Sequence, residues 1–116
     1  MKKAYGVSTC TTCQRIMKDS DLIKKGYAYQ NIKEEKITPA QLDEMKSMMG
    51  SYEALFSRRA LKYKAMGLKD KKLTEKDYRY FILQEYTFLK RPVVISGKKI
   101  FSGSEKKTVA EVIKLK

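Results

Sequence analysis

The alternation of apolar and polar positions opens with a short β-leaning run at residues 2–7, which breaks at a polar Ser8-Thr9 turn. This run predicts a first strand. A helix is predicted from Thr11 to about Lys25, with Gly26 as its stop and Lys24 and Lys25 in the last turn, where the helix dipole favours cations. Tyr27, Tyr29 and Ile32 predict a second strand. Thr38-Pro39 then combines a capping hydroxyl with proline at the first helical position, and Gln41 completes a capping box. Leu42, Met45, Met48 and Met49 give that helix its apolar face, and Gly50 closes it. Ser51 caps a further helical segment carrying Leu55 and Phe56, residues 61–66 continue helically to Gly67, and Thr74 with Asp77 starts a helix whose buried side carries Tyr78, Phe81 and Ile82. Pro92 opens the strand Val93-Val94-Ile95, Gly97-Lys98 turns it, and Lys99-Ile100-Phe101 returns as a hairpin. Ser104 is read as the cap of a last helix that turns Val109, Val112 and Ile113 to the core.

Strand, helix, strand, several helices, hairpin and final helix describe an α/β chain with a four-stranded mixed sheet. Its first βαβ unit has to be parallel and right-handed. With Cys10-Thr11-Thr12-Cys13 directly after the first strand, the order predicts a thioredoxin-like fold. It forms a single domain over residues 1–116, with a helical insertion at about 38–90.

Composition narrows this further. At 116 residues and 42% hydrophobic, the chain is of single-domain size and apolar enough to fold. No run approaches the length of a membrane span, and the start of the chain lacks the apolar stretch of a signal peptide, so the expected location is the cytoplasm. The formal charge of +13 comes mostly from lysines spread along the chain among acidic residues. That pattern reads as a solvated surface, and direct nucleic-acid binding is not expected.

Two cysteines three positions apart, with no histidine anywhere, are too few for a closed zinc site, which takes about four ligands; no metal is expected. In a reducing compartment such a pair is redox-active more often than structural. Residues i and i+3 share a helix face, so the two sulfurs can meet disulfide geometry. Cys10, at the helix start, gains from unpaired N–H groups and the dipole and is the expected nucleophile. Cys13, one turn inside, is the expected resolving thiol, and Thr11 and Thr12 can hydrogen-bond sulfur or an oxyanion.

Three further segments carry a resemblance. Tyr5-Gly6 before the cysteine motif, residues 54–59 (Ala-Leu-Phe-Ser-Arg-Arg) leading to Tyr63-Lys64-Ala65-Met66-Gly67-Leu68, and Leu89-Lys90-Arg91-Pro92-Val93-Val94-Ile95 together make the chain similar to the arsenate reductase-like family, including its Spx-type redox regulators. The resemblance implies that Arg91 faces the Cys10 thiol and that Pro92 is a cis-proline beside it. It also adds Arg58 and Arg59 as anion-binding candidates, Arg59 matching an arginine of the Spx-like branch. The arsenate-reducing members resemble Cys-x-x-Ser, carry an arginine where Ser57 stands and have a histidine before the cysteine, which argues against arsenate as substrate here.

The implied function is a thiol–disulfide oxidoreductase or oxyanion reductase. It would be a monomer without bound cofactor, using glutathione or a thioredoxin- or glutaredoxin-type reductant and acting on a disulfide-bearing protein or oxidised substrate. The alternative is an Spx-type regulator that docks on the α subunit of RNA polymerase.

Overall fold

In the computed structural model, which describes residues Met1–Lys116, four strands form one sheet: β1 (Lys2–Gly6), β2 (Ala28–Asn31), β3 (Val93–Ser96) and β4 (Lys99–Ser102). Their order is β2-β1-β3-β4. β1 runs parallel to β2, with Ala4 opposite Tyr29 and Gly6 opposite Asn31, and antiparallel to β3, with Tyr5 opposite Val93. The hairpin β3–β4 turns through Gly97, whose φ of +60° is left-handed. β1 is central, which is why Ala4, Tyr5 and Gly6 are all buried and why Val93-Val94-Ile95 reads as an unbroken apolar run.

The chain divides into two compact units, one of residues Met1–Lys36 with Arg91–Lys116, the other of Ile37–Lys90. The first unit holds the sheet, α1 (Thr11–Ser20) and α5 (Lys106–Ile113). Its core packs Ala4, Ile16, Leu22, Tyr27, Val94 and Val112, with Met17, Tyr29, Phe101, Val109 and Leu115 against them.

α1 is shorter than the periodicity predicts, because the chain turns after Ser20 to take Leu22 into the core. The Ser20 hydroxyl donates to the Ile16 carbonyl at 2.6 Å, and Asp21 takes a left-handed φ of 56°. The chain then folds through a turn that buries Leu22 completely, which a continued helix would not have done. The last helix also differs from expectation. Glu105 is its N-cap residue and Ser104 makes no cap, while Ile113 is 40% exposed and Leu115 packs on the core instead.

In the second unit, α2 (Pro39–Met49) and α4 (Glu75–Gln84) begin with complete capping boxes, Thr38 with Gln41 and Thr74 with Asp77. α2 ends at Gly50, whose φ of +100° is left-handed, as the sequence predicts. After Ser51, whose hydroxyl accepts from the Ala54 N–H, there is only a single 3₁₀ turn, Glu53–Leu55. The short α3 (Leu61–Ala65) follows. Phe56 anchors the unit's aromatic core, stacking on Phe88 with ring centroids 5.1 Å apart and meeting Tyr78 at 4.9 Å.

These caps separate by mutation. Thr38→Ala and Thr74→Ala should each cost about 1 kcal/mol in thermal or denaturant unfolding, the usual loss for a helix N-cap. Ser104→Ala should stay within about 0.5 kcal/mol of wild type.

Candidate active site

The C-terminal end of β1 delivers the chain to a three-residue turn, Val7-Ser8-Thr9, and then to Cys10, the N-cap of α1. The turn is closed by the Cys10 N–H, which donates to the Val7 carbonyl at 3.0 Å, and the Cys10 carbonyl accepts from Gln14 N–H at 2.9 Å. Cys10 has extended backbone geometry, φ −83° and ψ 116°, and its neutral side chain makes no capping hydrogen bond. Most helices place a hydroxyl or carboxylate oxygen here. In this chain the position is held by sulfur, so the N–H groups of the first turn favour its anion.

Both cysteines are free thiols; Cys10 is partly exposed and Cys13 is 1% exposed. Their environments push them apart. Partial burial works to raise Cys10, but the Cys13 N–H, the Cys13 thiol, the Arg91 guanidinium and the Thr12 N–H outweigh it and hold Cys10 below the ordinary thiol value. Burial pushes Cys13 up to about 11; a Val7 backbone hydrogen bond opposes this, and the hydrogen bond and charge of Cys10 reinforce it.

Arg91 is the residue at which the chain re-enters the first unit, and its partly buried guanidinium lowers both thiols electrostatically. The Arg91–Pro92 peptide is cis. Pro92 is buried, and its carbonyl accepts from Gly103 N–H at 3.1 Å while Val93 pairs with Tyr5, so Arg91 is carried just before the N-terminal end of β3. Cys10, Cys13, Thr12 and Arg91 thus act on one another electrostatically. Thr11 is exposed at the first helical position. Arg58 and Arg59 belong to the other unit. There Arg58 donates to Glu53 at 2.7 Å and to the Tyr78 hydroxyl at 3.1 Å, and Arg59 is exposed.

Residues beyond those expected also surround the dithiol. Tyr29, from β2, has its ionisation pushed up by burial, with the Ser8 side chain opposing and the charge of both cysteines adding to the rise. Gln14 Nε2 donates to the Ser8 carbonyl. Ser8, Gln14, Met17, Ile23 and Tyr29 line a hollow of about 210 Å³. One signal in the sequence points to this group: small residues at 4 and 6 of a central strand leave room on one face for a large neighbour.

A mixed sheet of this order, with a Cys-x-x-Cys pair at the first helix and a cis-proline at the start of β3, is a thioredoxin-like fold. The chain belongs to the ArsC family, whose model matches residues 5–112. Among solved structures it is similar to the arsenate reductase of Vibrio cholerae, at 15% identity over 96% of this chain and 98% of that one with a TM-score of 0.77. It is also similar to an arsenate reductase related protein of Brucella melitensis, at 19% identity over 98% and 95% with a TM-score of 0.72. A Staphylococcus aureus protein is 26% identical over 96% and 97%, with a TM-score of 0.73. No curated protein matches the chain by sequence. Family and dithiol together make this a thiol-based redox protein. No helix is long and apolar enough to cross a membrane.

Near neutral pH, iodoacetamide should therefore modify Cys10 and leave Cys13 intact, as read by peptide mass spectrometry, and Arg91→Gln should move the Cys10 titration upward. Cys13 also predicts a stability profile. Its folded value, about 11, exceeds the ordinary 9.0, so the unfolded chain loses this proton first. Stability from Cys13 is complete below about pH 9 and declines as pH rises toward 11. In Cys13→Ala, denaturant unfolding should lack this part of the alkaline decline.

Proposed function

We propose that the protein is a thiol–disulfide oxidoreductase in which Cys10 is the nucleophile, Cys13 the resolving thiol and Arg91 the group that stabilises negative charge at Cys10. The observation that carries this reading is the asymmetry of the pair within one turn of helix: Cys10 is the partly exposed N-cap residue of α1 and Cys13 is buried, which holds the first thiol below and pushes the second above the ordinary value. Equivalent, inert cysteines would not be split in this way.

The Cys10 thiolate attacks one sulfur of a substrate disulfide. A Cys10–substrate disulfide forms, the substrate S–S bond breaks, and one substrate thiolate leaves and takes a proton from water. Once Cys10 is in a mixed disulfide, its charge and its hydrogen bond no longer hold the Cys13 proton in place, and two of the causes that raise Cys13 vanish. Burial remains, so the step needs Arg91 and the Val7 hydrogen bond to carry the developing thiolate. Cys13 loses its proton and attacks the Cys10 sulfur, releasing the second substrate thiol and leaving a Cys10–Cys13 disulfide. The substrate gains two electrons and two protons, and the dithiol loses them. Glutathione or a thioredoxin-type dithiol returns them by the same exchange in reverse. In this reading Thr11 and Thr12, which follow the nucleophile in the first turn of α1, and Pro92, which the family resemblance puts beside the thiol, contact the bound chain. Cys13, where arsenate-reducing relatives resemble serine, supports a disulfide rather than arsenate as substrate.

Reduction of a glutathionylated peptide, followed by chromatography, tests the reading. Cys10→Ser should fall to the uncatalysed rate. Cys13→Ser should slow turnover about 10-fold or more and accumulate a mixed disulfide on Cys10. Undiminished exchange by Cys10→Ser would sink the proposal. Redox-independent binding of Cys10→Ser to the RNA polymerase α subunit, with no exchange by wild type, would favour the regulator instead.

A further inference from the structure

The hollow lined by Ser8, Gln14, Met17, Ile23 and Tyr29 lies wholly within the first unit. Its place is set by the redox motif. Ser8 precedes Cys10 by two residues, a Cα span of about 7 Å at most. Gln14 follows Cys13 directly, and Met17 is one turn further along the same face of α1. Its walls are mostly hydrocarbon. Tyr29 can form one of them because β1 ends in glycine: a Cβ on Gly6 would lie 3.0 Å from the Tyr29 hydroxyl oxygen and 3.3 Å from Cε1 of the ring. Gly6 has no conformational reason to be glycine, since it is not among the residues with positive φ. Ile23 leaves 59% of its surface in water. An exposed isoleucine standing alone means little, but one that walls a hollow beside a reactive thiol is surface that an apolar ligand would cover. The two polar residues face each other, the Gln14 side-chain amide donating to the Ser8 carbonyl. None of the five lining residues is charged, so the hollow is unsuited to an oxyanion.

Its volume of about 210 Å³ decides what it can hold. Cofactor and metabolite pockets occupy roughly 300–1,000 Å³. An apolar cavity of roughly 150 Å³ already takes a benzene-sized group. One leucine, methionine or phenylalanine side chain is the matching occupant. The rim adds a charge preference. Lys18 follows Met17 and Lys24 follows Ile23; both are exposed, and the salt bridges of Arg58, Lys62 and Arg79 all lie in the other unit. We propose that the hollow is a substrate subsite: it seats one bulky apolar side chain of a protein whose disulfide Cys10 attacks, carried within about two residues of the substrate cysteine and beside an acidic residue that meets Lys18 or Lys24. An extended chain advances about 3.3 Å per residue, so a side chain two residues from the substrate cysteine spans the same distance as Ser8 from Cys10. The inference rests on the reading of Cys10 as nucleophile and narrows its substrate to proteins, because glutathione carries no apolar side chain.

The test uses peptides of the forms Leu-Glu-Cys, Ser-Glu-Cys and Leu-Lys-Cys, each activated at its cysteine as the thionitrobenzoate disulfide. With glutathione as reductant, kcat/KM for Leu-Glu-Cys should exceed that for Ser-Glu-Cys about 10-fold or more, the usual worth of an apolar group in a fitting pocket. Ile23→Ser should remove most of this preference and leave the rate of Cys10 alkylation by iodoacetamide unchanged. Exchanging Lys18 and Lys24 for glutamate should shift the preference toward Leu-Lys-Cys by about 3-fold, since exposed pairs are weak. A second readout needs no catalysis. The same peptides are coupled chemically to Cys10 in the Cys13→Ser protein, and the Met17 ε-methyl and Ile23 δ-methyl resonances are compared. Both should differ between the leucine and serine conjugates. Equal kcat/KM for the two peptides in wild type, or conjugates whose Met17 and Ile23 methyls coincide, would overturn the subsite. Methyl shifts that grow with protein concentration before any peptide is added would assign the hollow to a second copy of the chain and overturn it as well. Distinct methyls in the two conjugates, with no catalysed exchange of any peptide, would support the subsite and overturn the enzyme reading alone.

Discussion

The site depends on the way α1 begins. A helix leaves its first backbone N–H groups without partners inside the helix, and something must satisfy or exploit them. Here the capping position holds a thiol, which as a neutral group makes no cap hydrogen bond. Stability that a serine or aspartate would add at this end is forgone, and the unmet N–H groups become a standing preference for a thiolate. The Cys13 N–H, the Cys13 thiol and the Arg91 charge add to the same preference. The sheet order serves it too: with β1 central and β3 beside it, the end of β1 and the start of β3 fall together, and Cys10 follows the one by four residues while Arg91 precedes the other by two.

Burial then separates the two roles. The helix repeat turns Cys13 inward beside Ile16 while Cys10 stays at the rim, so one thiol is desolvated and the other is accessible. Desolvation penalises the charged form, and it is the largest cause of the rise of Cys13. The pair is not symmetric in time either. Each thiol holds the other's proton equilibrium, so covalent capture of Cys10 changes Cys13. In the proposed cycle, resolution is then favoured after a mixed disulfide forms and suppressed before it.

The second unit contributes differently. It has its own aromatic core around Phe56, Tyr78 and Phe88 and its own capped helices. Its Arg58 is matched by Glu53 within that unit. Lys90 closes it by donating its backbone N–H to the Leu55 carbonyl at 2.8 Å, and Arg91 is the next residue.

Much of this architecture was written locally. Thr38-Pro39 with Gln41, Thr74 with Asp77, the Gly97 turn and the glycine after α2 act within a few residues, and each forms as the sequence predicts. The cysteine motif is equally local, because both sulfurs, the helix N-terminus and the dipole lie within four residues. The mixed four-stranded sheet, with its parallel first unit and its terminal hairpin, also followed from the sequence, whereas the order β2-β1-β3-β4 is a property of the folded sheet. What the chain could not announce involves residues far apart in sequence or a contest between neighbours. α1 stops at Ser20 because Leu22 has a core to enter, and periodicity cannot see that core. Ser104 looks like a cap, yet the final helix starts one residue later because Val109, Val112 and Leu115 must reach the core from β4. Arg91 lies 81 positions after Cys10, and only β1–β3 pairing brings its charge to bear on the thiol. Tyr29 is silent for the same reason: its place over Gly6 follows from the β1–β2 register, a property of two strands together. Short-range rules determined most of the elements and the place of the cysteine pair at the start of α1; the pairing of distant strands decided what surrounds that pair, because electrostatic and steric environment depends on distance in space and not along the chain.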